Sequence, residues 1–163
     1  MPGTAGHTVR RSFLLLGMLI AHGWCNVVAA QDKTALRTEN AWCRATAPGQ
    51  TMSAAYITIV NTGGSPDRLL AVSSPVAEAI EIHDTRLSGG VMRMRPVTDG
   101  LVVPARSRVE LKPLGVHLML IGIKTPLEAG REMSAKLRFE NAGVVDVVFR
   151  IDSTSGTTRK ETR

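Results

Sequence analysis

The chain has 163 residues, room for one domain, with two Trp, one Tyr, three Phe and a formal net charge of +6. So few aromatic side chains give no stacking platform, and the cationic residues are scattered along the chain, which together argue against a nucleic-acid binder. Of the two cysteines, Cys25 lies in an N-terminal segment that reads as removable, so Cys43 has no partner for an internal disulfide.

That N-terminal segment has a polar, basic start (Met1 to Arg11), a short apolar middle (Ser12 to Ile20) and small residues at Val28-Ala29-Ala30. This is the pattern of an export signal, with cleavage expected after Ala30. The apolar run is too short to span a bilayer well, so no stable membrane insertion is expected after cleavage. Arg10-Arg11-Ser12-Phe13-Leu14 also fits a twin-arginine signal, and the route stays open between that and general secretion. Trp24 directly before Cys25 is a poor match to a lipid-attachment site. A soluble periplasmic or extracytoplasmic protein is expected, with residues 31–39 a flexible N-terminus, residues 40–151 the folded domain and residues 152–163 a disordered basic tail. Loss of residues 1–30 removes two arginines and no acid, lowering the formal charge to +4.

The remaining pattern is all-β. Short apolar or alternating runs predict strands over Ala41–Ala47, Ala54–Val60, Arg68–Ser73, Ala79–Asp84, Val91–Pro96, Leu101–Pro104, Arg108–Leu111, Val116–Ile123, Glu132–Phe139 and Val144–Ile151. Turn residues separate them, including Asn61-Thr62-Gly63-Gly64, Ser88-Gly89-Gly90 and Asn141-Ala142-Gly143. Pro75 to Ala79 is compatible with one turn of helix. Ten short strands in one domain point to a β-sandwich or Greek-key barrel. Cys43, in the alternating run Ala41 to Ala45, reads as a small buried filler.

The chemistry concentrates at a few positions. In Val116–Ile123, strand alternation puts Leu118 and Leu120 on one face and His117 and Met119 on the other. A Leu/Leu face is a natural core face, which leaves an imidazole and a thioether together on the opposite side. Upstream, Met92 and Met94 share a face with arginines on the other, and His83 lies opposite Ile80 and Ile82. Taken singly, His83 reads as an exposed strand histidine and the methionines as core filler. Taken together, two imidazoles and two thioethers suit a soft ion, copper(I) above all, and suit hard ions poorly. A zinc hydrolase would want His, Cys or carboxylate ligands, and a blue-copper centre would want a Cys thiolate near a His.

These residues lie within longer motifs: Ala41-Trp42-Cys43-Arg44-Ala45-Thr46, Ala54-Ala55-Tyr56, Glu81-Ile82-His83-Asp84, Gly89 to Pro96, and Leu111 to Met119. In these motifs the sequence resembles the periplasmic copper chaperones of the PCuAC family, over Ala41 to about Phe149. The family's metal pattern is a His, a later Met and then His-x-Met. Here ten residues separate His83 from Met94, 22 separate Met94 from His117, and Met119 completes the set. The resemblance implies a cupredoxin-like Greek-key β-sandwich with copper(I) held near its surface by His83, Met94, His117 and Met119. It implies binding of copper and its delivery, often towards the copper centre of a respiratory oxidase. The expected acceptor is an oxidase subunit or a thiol-containing assembly factor, and a monomer is expected. The tail Ser153 to Arg163 has no His or Met, so a second, copper(II)-binding site there is not expected.

Met92 is then a neighbour that shields the site, and Asp84 and Arg93 are candidates for shaping partner docking. Two other readings stay open: a copper redox enzyme, for which no Ser-His-Asp set or paired Cys speaks, and a non-metal structural or adhesion sandwich.

Overall fold

The computed structural model describes Gly3 and residues 35–153; the expected export signal and the tail from Thr154 lie outside the described residues. Ten strands follow in chain order: β1 (Leu36–Arg44), β2 (Met52–Asn61), β3 (Asp67–Ser73), β4 (Ala79–Ser88), β5 (Val91–Pro96), β6 (Leu101–Val103), β7 (Ser107–Leu111), β8 (Val116–Ile121), β9 (Glu132–Phe139) and β10 (Val144–Asp152). All ten expected strands are present. Pro75 to Glu78 forms a turn, not a helix, closed by a bond from the Ala77 N–H to the Ser74 carbonyl.

Hydrogen bonding runs in the order β5-β4-β8-β2-β1-β10-β9-β3-β6, with β7 also pairing β2. One bridge between Val72 and Ile80 joins β3 to β4 and closes the path on itself. The path therefore wraps around a core built from residues that alternate inward. In β9, Met133, Ala135, Leu137 and Phe139 are all buried and the residues between them are exposed. Phe149, Leu69, Leu118 and Leu120 fill the same core, each worth roughly 1.5–3 kcal/mol of burial. Strand β2 is buried along almost its whole length because β1, β7 and β8 flank it.

Two features depart from the sequence reading. First, β1 starts at Leu36, inside the stretch assigned to a flexible N-terminus. Leu36 to Glu39 pair with Val60, Asn61 and their neighbours on β2, and Leu36 is buried. The register then slips between Glu39 and Trp42, where Asn40 has φ 51°. This bulge breaks the alternation, which hides the first half of the strand from pattern reading. Second, Asp152 is the last residue of β10, opposite Arg44, so the tail starts beyond it.

A polar latch holds one end of the sandwich. The Asp67 carboxylate accepts bonds from the N–H groups of Arg68 (2.7 Å), Asn141 (3.0 Å) and Ala142 (2.9 Å), tying the start of β3 to the β9–β10 turn.

Candidate metal centre

Three neighbouring strands, β5, β4 and β8, carry all four expected ligands. The β4–β5 hairpin turns through Gly89 (φ 60°) and Gly90 (φ 78°), with Ser88 opposite Val91. Two successive positive φ values define the tight turn whose twist suits a two-residue hairpin, and glycine is the residue that adopts them without strain. This turn sets the register that puts Met94 opposite Thr85. Across the other edge of β4, His83 stands directly opposite His117, and Glu81 opposite Met119. Directly opposed residues point to the same face, and so do residues two apart on one strand. His83, Met94, His117 and Met119 therefore share one face. Leu118, Leu120 and Ile82 occupy the other, in the core.

The two imidazoles form the floor. Their ring centroids are 6.0 Å apart in an edge-on arrangement. His117 is buried, and the His83 side chain is 14% exposed. His117 donates its Nδ1–H to the Gly115 carbonyl at 3.0 Å, which leaves Nε2 with an available lone pair. The turn supplying that carbonyl holds Leu114 in the left-handed region at φ 65°, a strain of about 1–2 kcal/mol for a non-glycine residue. His83 is oriented the other way round. Its Nε2–H donates to Glu81 Oε2 at 2.8 Å, and its Nδ1 is buried with no hydrogen-bond partner. A buried ring nitrogen without a partner is costly, and a bound soft cation would satisfy it.

The thioethers differ in exposure. Met119 is half-buried beside His117, while Met94 is 49% exposed on the edge strand β5. Met94 lies one rung diagonally from His83, a spacing that a long side chain can bridge. Met92 sits one rung further out, opposite Leu87, and is also exposed. Tyr56 forms the wall beside His117, with ring centroids 6.4 Å apart, and Trp42 stacks on Tyr56 at 4.4 Å. The Arg44 guanidinium lies 5.7 Å over the Tyr56 ring. Burial raises the Tyr56 phenol above its ordinary range, and Arg44 works against that rise.

Among the described residues no three His, Cys, Asp or Glu side chains gather to hold a metal, so thioethers would have to complete any ion site here. Cys43 is fully buried in the core, and burial, reinforced by Asp152, pushes its thiol up to about 12. It is the inert filler that the alternation of β1 suggests, and it is withheld from metal and solvent alike. The sequence placed His83 beside Glu81 but gave no sign that the carboxylate fixes the ring. It also missed Tyr56 and Trp42 as a wall, since cross-strand register cannot be read from either motif alone.

A family model described as "Putative lipoprotein LpqE-like" matches residues 36–151. The chain is 33% identical over 121 residues to Lxx21020 of Leifsonia xyli, covering 74% of this chain and 72% of that protein. The solved structures it resembles include a copper-bound PCuAC domain from PmoF2, at TM-score 0.62 and 28% identity, covering 73% of this chain and 93% of that one. They also include copper(I)-bound DR1885 of Deinococcus radiodurans, at TM-score 0.61 and 28% identity, covering 78% and 85%.

The chain is an LpqE-like member of the PCuAC family.

As in the other PCuAC proteins, the fold is a cupredoxin-like β-sandwich. The resemblance read from the motifs thus holds for both family and fold. The description of the matching family carries the word lipoprotein; Cys25, the cysteine that bears on it here, lies outside the described residues.

Proposed function

We propose that this PCuAC protein is an exported copper chaperone that binds copper(I) through His83 Nδ1, His117 Nε2 and the thioethers of Met94 and Met119. The observation that carries this reading is the pair of imidazoles on one face, each tied at one ring nitrogen and left open at the other. The copper-bound relatives from PmoF2 and Deinococcus radiodurans support the choice of ion.

Neutral ligands and partial burial suit delivery better than turnover. No thiolate adds charge attraction, so the ion is held by soft-donor preference alone. Met94, exposed on an edge strand, is the ligand that leaves first. Met119 and the largely buried imidazoles hold the ion until an acceptor supplies its own donors. That acceptor is an oxidase copper subunit or a thiol-containing assembly factor outside the cytoplasm, and the chaperone acts as a monomer with no enzymatic step.

Copper(I) competition titration tests the ligand set. The protein is expected to bind one equivalent, and Met94→Leu with Met119→Leu to lose most of the affinity. Unchanged affinity in the double variant would remove thioether ligation. Rapid turnover of a reductant and oxygen by the copper-loaded protein would favour an enzyme instead.

A further inference from the structure

The hairpin that carries Met94 has a second face. Arg93 and Arg95 alternate with Met92 and Met94 on β5, so they point away from the metal side. Opposite them on β4 stand Arg86 and Asp84: the register pairs Arg86 with Arg93 and Asp84 with Arg95. Three guanidinium groups and one carboxylate therefore form a square on the reverse face. Asp84 is taken by Arg86, Oδ2 to Nε at 2.5 Å. The Arg93 and Arg95 side chains make no ion pair or hydrogen bond among the described residues. The Arg86–Arg93 rung sets like charges directly opposite one another, an arrangement that is unfavourable without a counter-ion.

These four side chains line a half-open cleft of about 620 Å³ whose far wall is Val97 to Asp99. Asp99 lines the same cleft but pairs with neither arginine; its carboxylate meets the Thr98 hydroxyl at 3.5 Å, so the cleft keeps a net positive charge. A charged edge strand guards against edge-to-edge pairing, yet that role needs neither a cleft nor a like-charged rung. Two unpaired guanidinium groups one strand repeat apart instead match the geometry of carboxylates, which they can bind in forked pairs.

We propose that this cleft docks an acidic segment of the copper-exchange partner. The identity of that partner rests on the function proposed above; the charge argument does not. Among the described residues, strand β5 ends the hydrogen-bonded path and has no strand on its outer side. A partner that grips this edge reaches both faces of the hairpin, placing carboxylates on Arg93 and Arg95 behind it and copper-accepting donors near Met94 in front. Electrostatic docking of this kind speeds encounter and fixes register more than it adds affinity.

The first arm of the test uses copper-free protein labelled with nitrogen-15, so that it is independent of the ligand set. Hexaglutamate should shift the Arg93 and Arg95 Nε–H signals saturably, hexaglutamine should not, and inorganic phosphate should act at least tenfold more weakly. Arg93→Gln with Arg95→Gln should abolish the response; Arg138→Gln, on β9, which contributes nothing to the cleft lining, should leave it. No response, a response that survives loss of both arginines, or equal action by phosphate would overturn the proposal.

The second arm follows copper(I) passing from the loaded protein to two peptides, Glu-Glu-Glu-Cys-Gly-Cys and Gln-Gln-Gln-Cys-Gly-Cys. Copper stays reduced throughout: thioether and imidazole bonds break, two sulfur bonds form, and the two thiol protons pass to buffer. Transfer to the acidic peptide should be at least fivefold faster. That advantage should vanish in Arg93→Gln/Arg95→Gln with copper(I) affinity unchanged, and should fade in high salt. Equal rates to both peptides would overturn the role in exchange.

Discussion

His83 and His117 face each other across β4 and β8, and each is anchored by the ring nitrogen the other leaves open. His83 is held at Nε2 by Glu81 and presents Nδ1; His117 is held at Nδ1 by Gly115 and presents Nε2. The two lone pairs are thus fixed in advance by second-layer bonds, as is usual for imidazoles that bind metals. Pre-orientation of this kind removes ordering cost at the moment of binding.

On the proposed ligand set, Glu81 acts through the ring of His83, which it holds at Nε2. Glu81→Gln should weaken copper(I) binding by roughly 10–100-fold, the usual range for such partners, while the fold survives because Glu81 is exposed. Competition titration measures the first effect and thermal unfolding the second. Equal affinity in variant and parent would mean that the carboxylate does not orient the ring.

The two thioethers should be separable. Met94→Leu changes an exposed side chain and should shift stability by no more than about 0.5 kcal/mol. Met119→Leu is half-buried and volume-conserving, so it should cost less than about 1.5 kcal/mol. Each should nevertheless lower copper(I) affinity by tenfold or more, about 1.4 kcal/mol per tenfold step. Because binding to the folded state alone stabilises it, copper(I) should raise the melting temperature of the parent and fail to do so in the double variant.

Cys43 provides a test at alkaline pH. The thiol ionises near 9 in an unfolded chain and at about 12 in the fold, so the folded state favours the proton. Its contribution to stability is complete below pH 9 and is lost as pH rises from 9 towards 12. The parent should lose stability across that window more steeply than Cys43→Ala. At pH 8 the native thiol should not react with a disulfide reagent, and it should react fully once denaturant unfolds the chain.

Asp67 gives a control outside the proposed metal site. Removing its carboxylate in Asp67→Ala strands three backbone N–H groups, two of them in the β9–β10 turn. The cost should be about 1–3 kcal/mol of unfolding free energy, with copper(I) affinity unchanged. Denaturant titration beside copper competition separates the two.

Much of the fold was legible because each strand is short and one-sided. The Met133 to Phe139 alternation and the Leu118/Leu120 pair state their inward faces directly. The start of β1 was not legible: Arg37, Thr38 and Glu39 carry no apolar alternation and are held by backbone pairing to β2. Glu39 adds an ion pair to Arg108 at 2.6 Å, which no local pattern foretells. At the candidate metal face, the residue types and their sides could be read from the sequence but not their register. That His83 meets His117 and not a neighbour follows from how β4 lies against β8, a long-range pairing. The arginine cleft was partly visible, since Asp84 and Arg93 stood out beside the proposed ligands, while the like-charged rung needed the hairpin register.

X-ray absorption at the copper edge of the copper(I)-loaded protein puts the ligand set to its most direct trial. Two nitrogen and two sulfur neighbours are expected, with the sulfur contribution falling by half in Met94→Leu and disappearing in Met94→Leu/Met119→Leu. A shell of nitrogen and oxygen alone, or a sulfur contribution that persists when both methionines are gone, would contradict it.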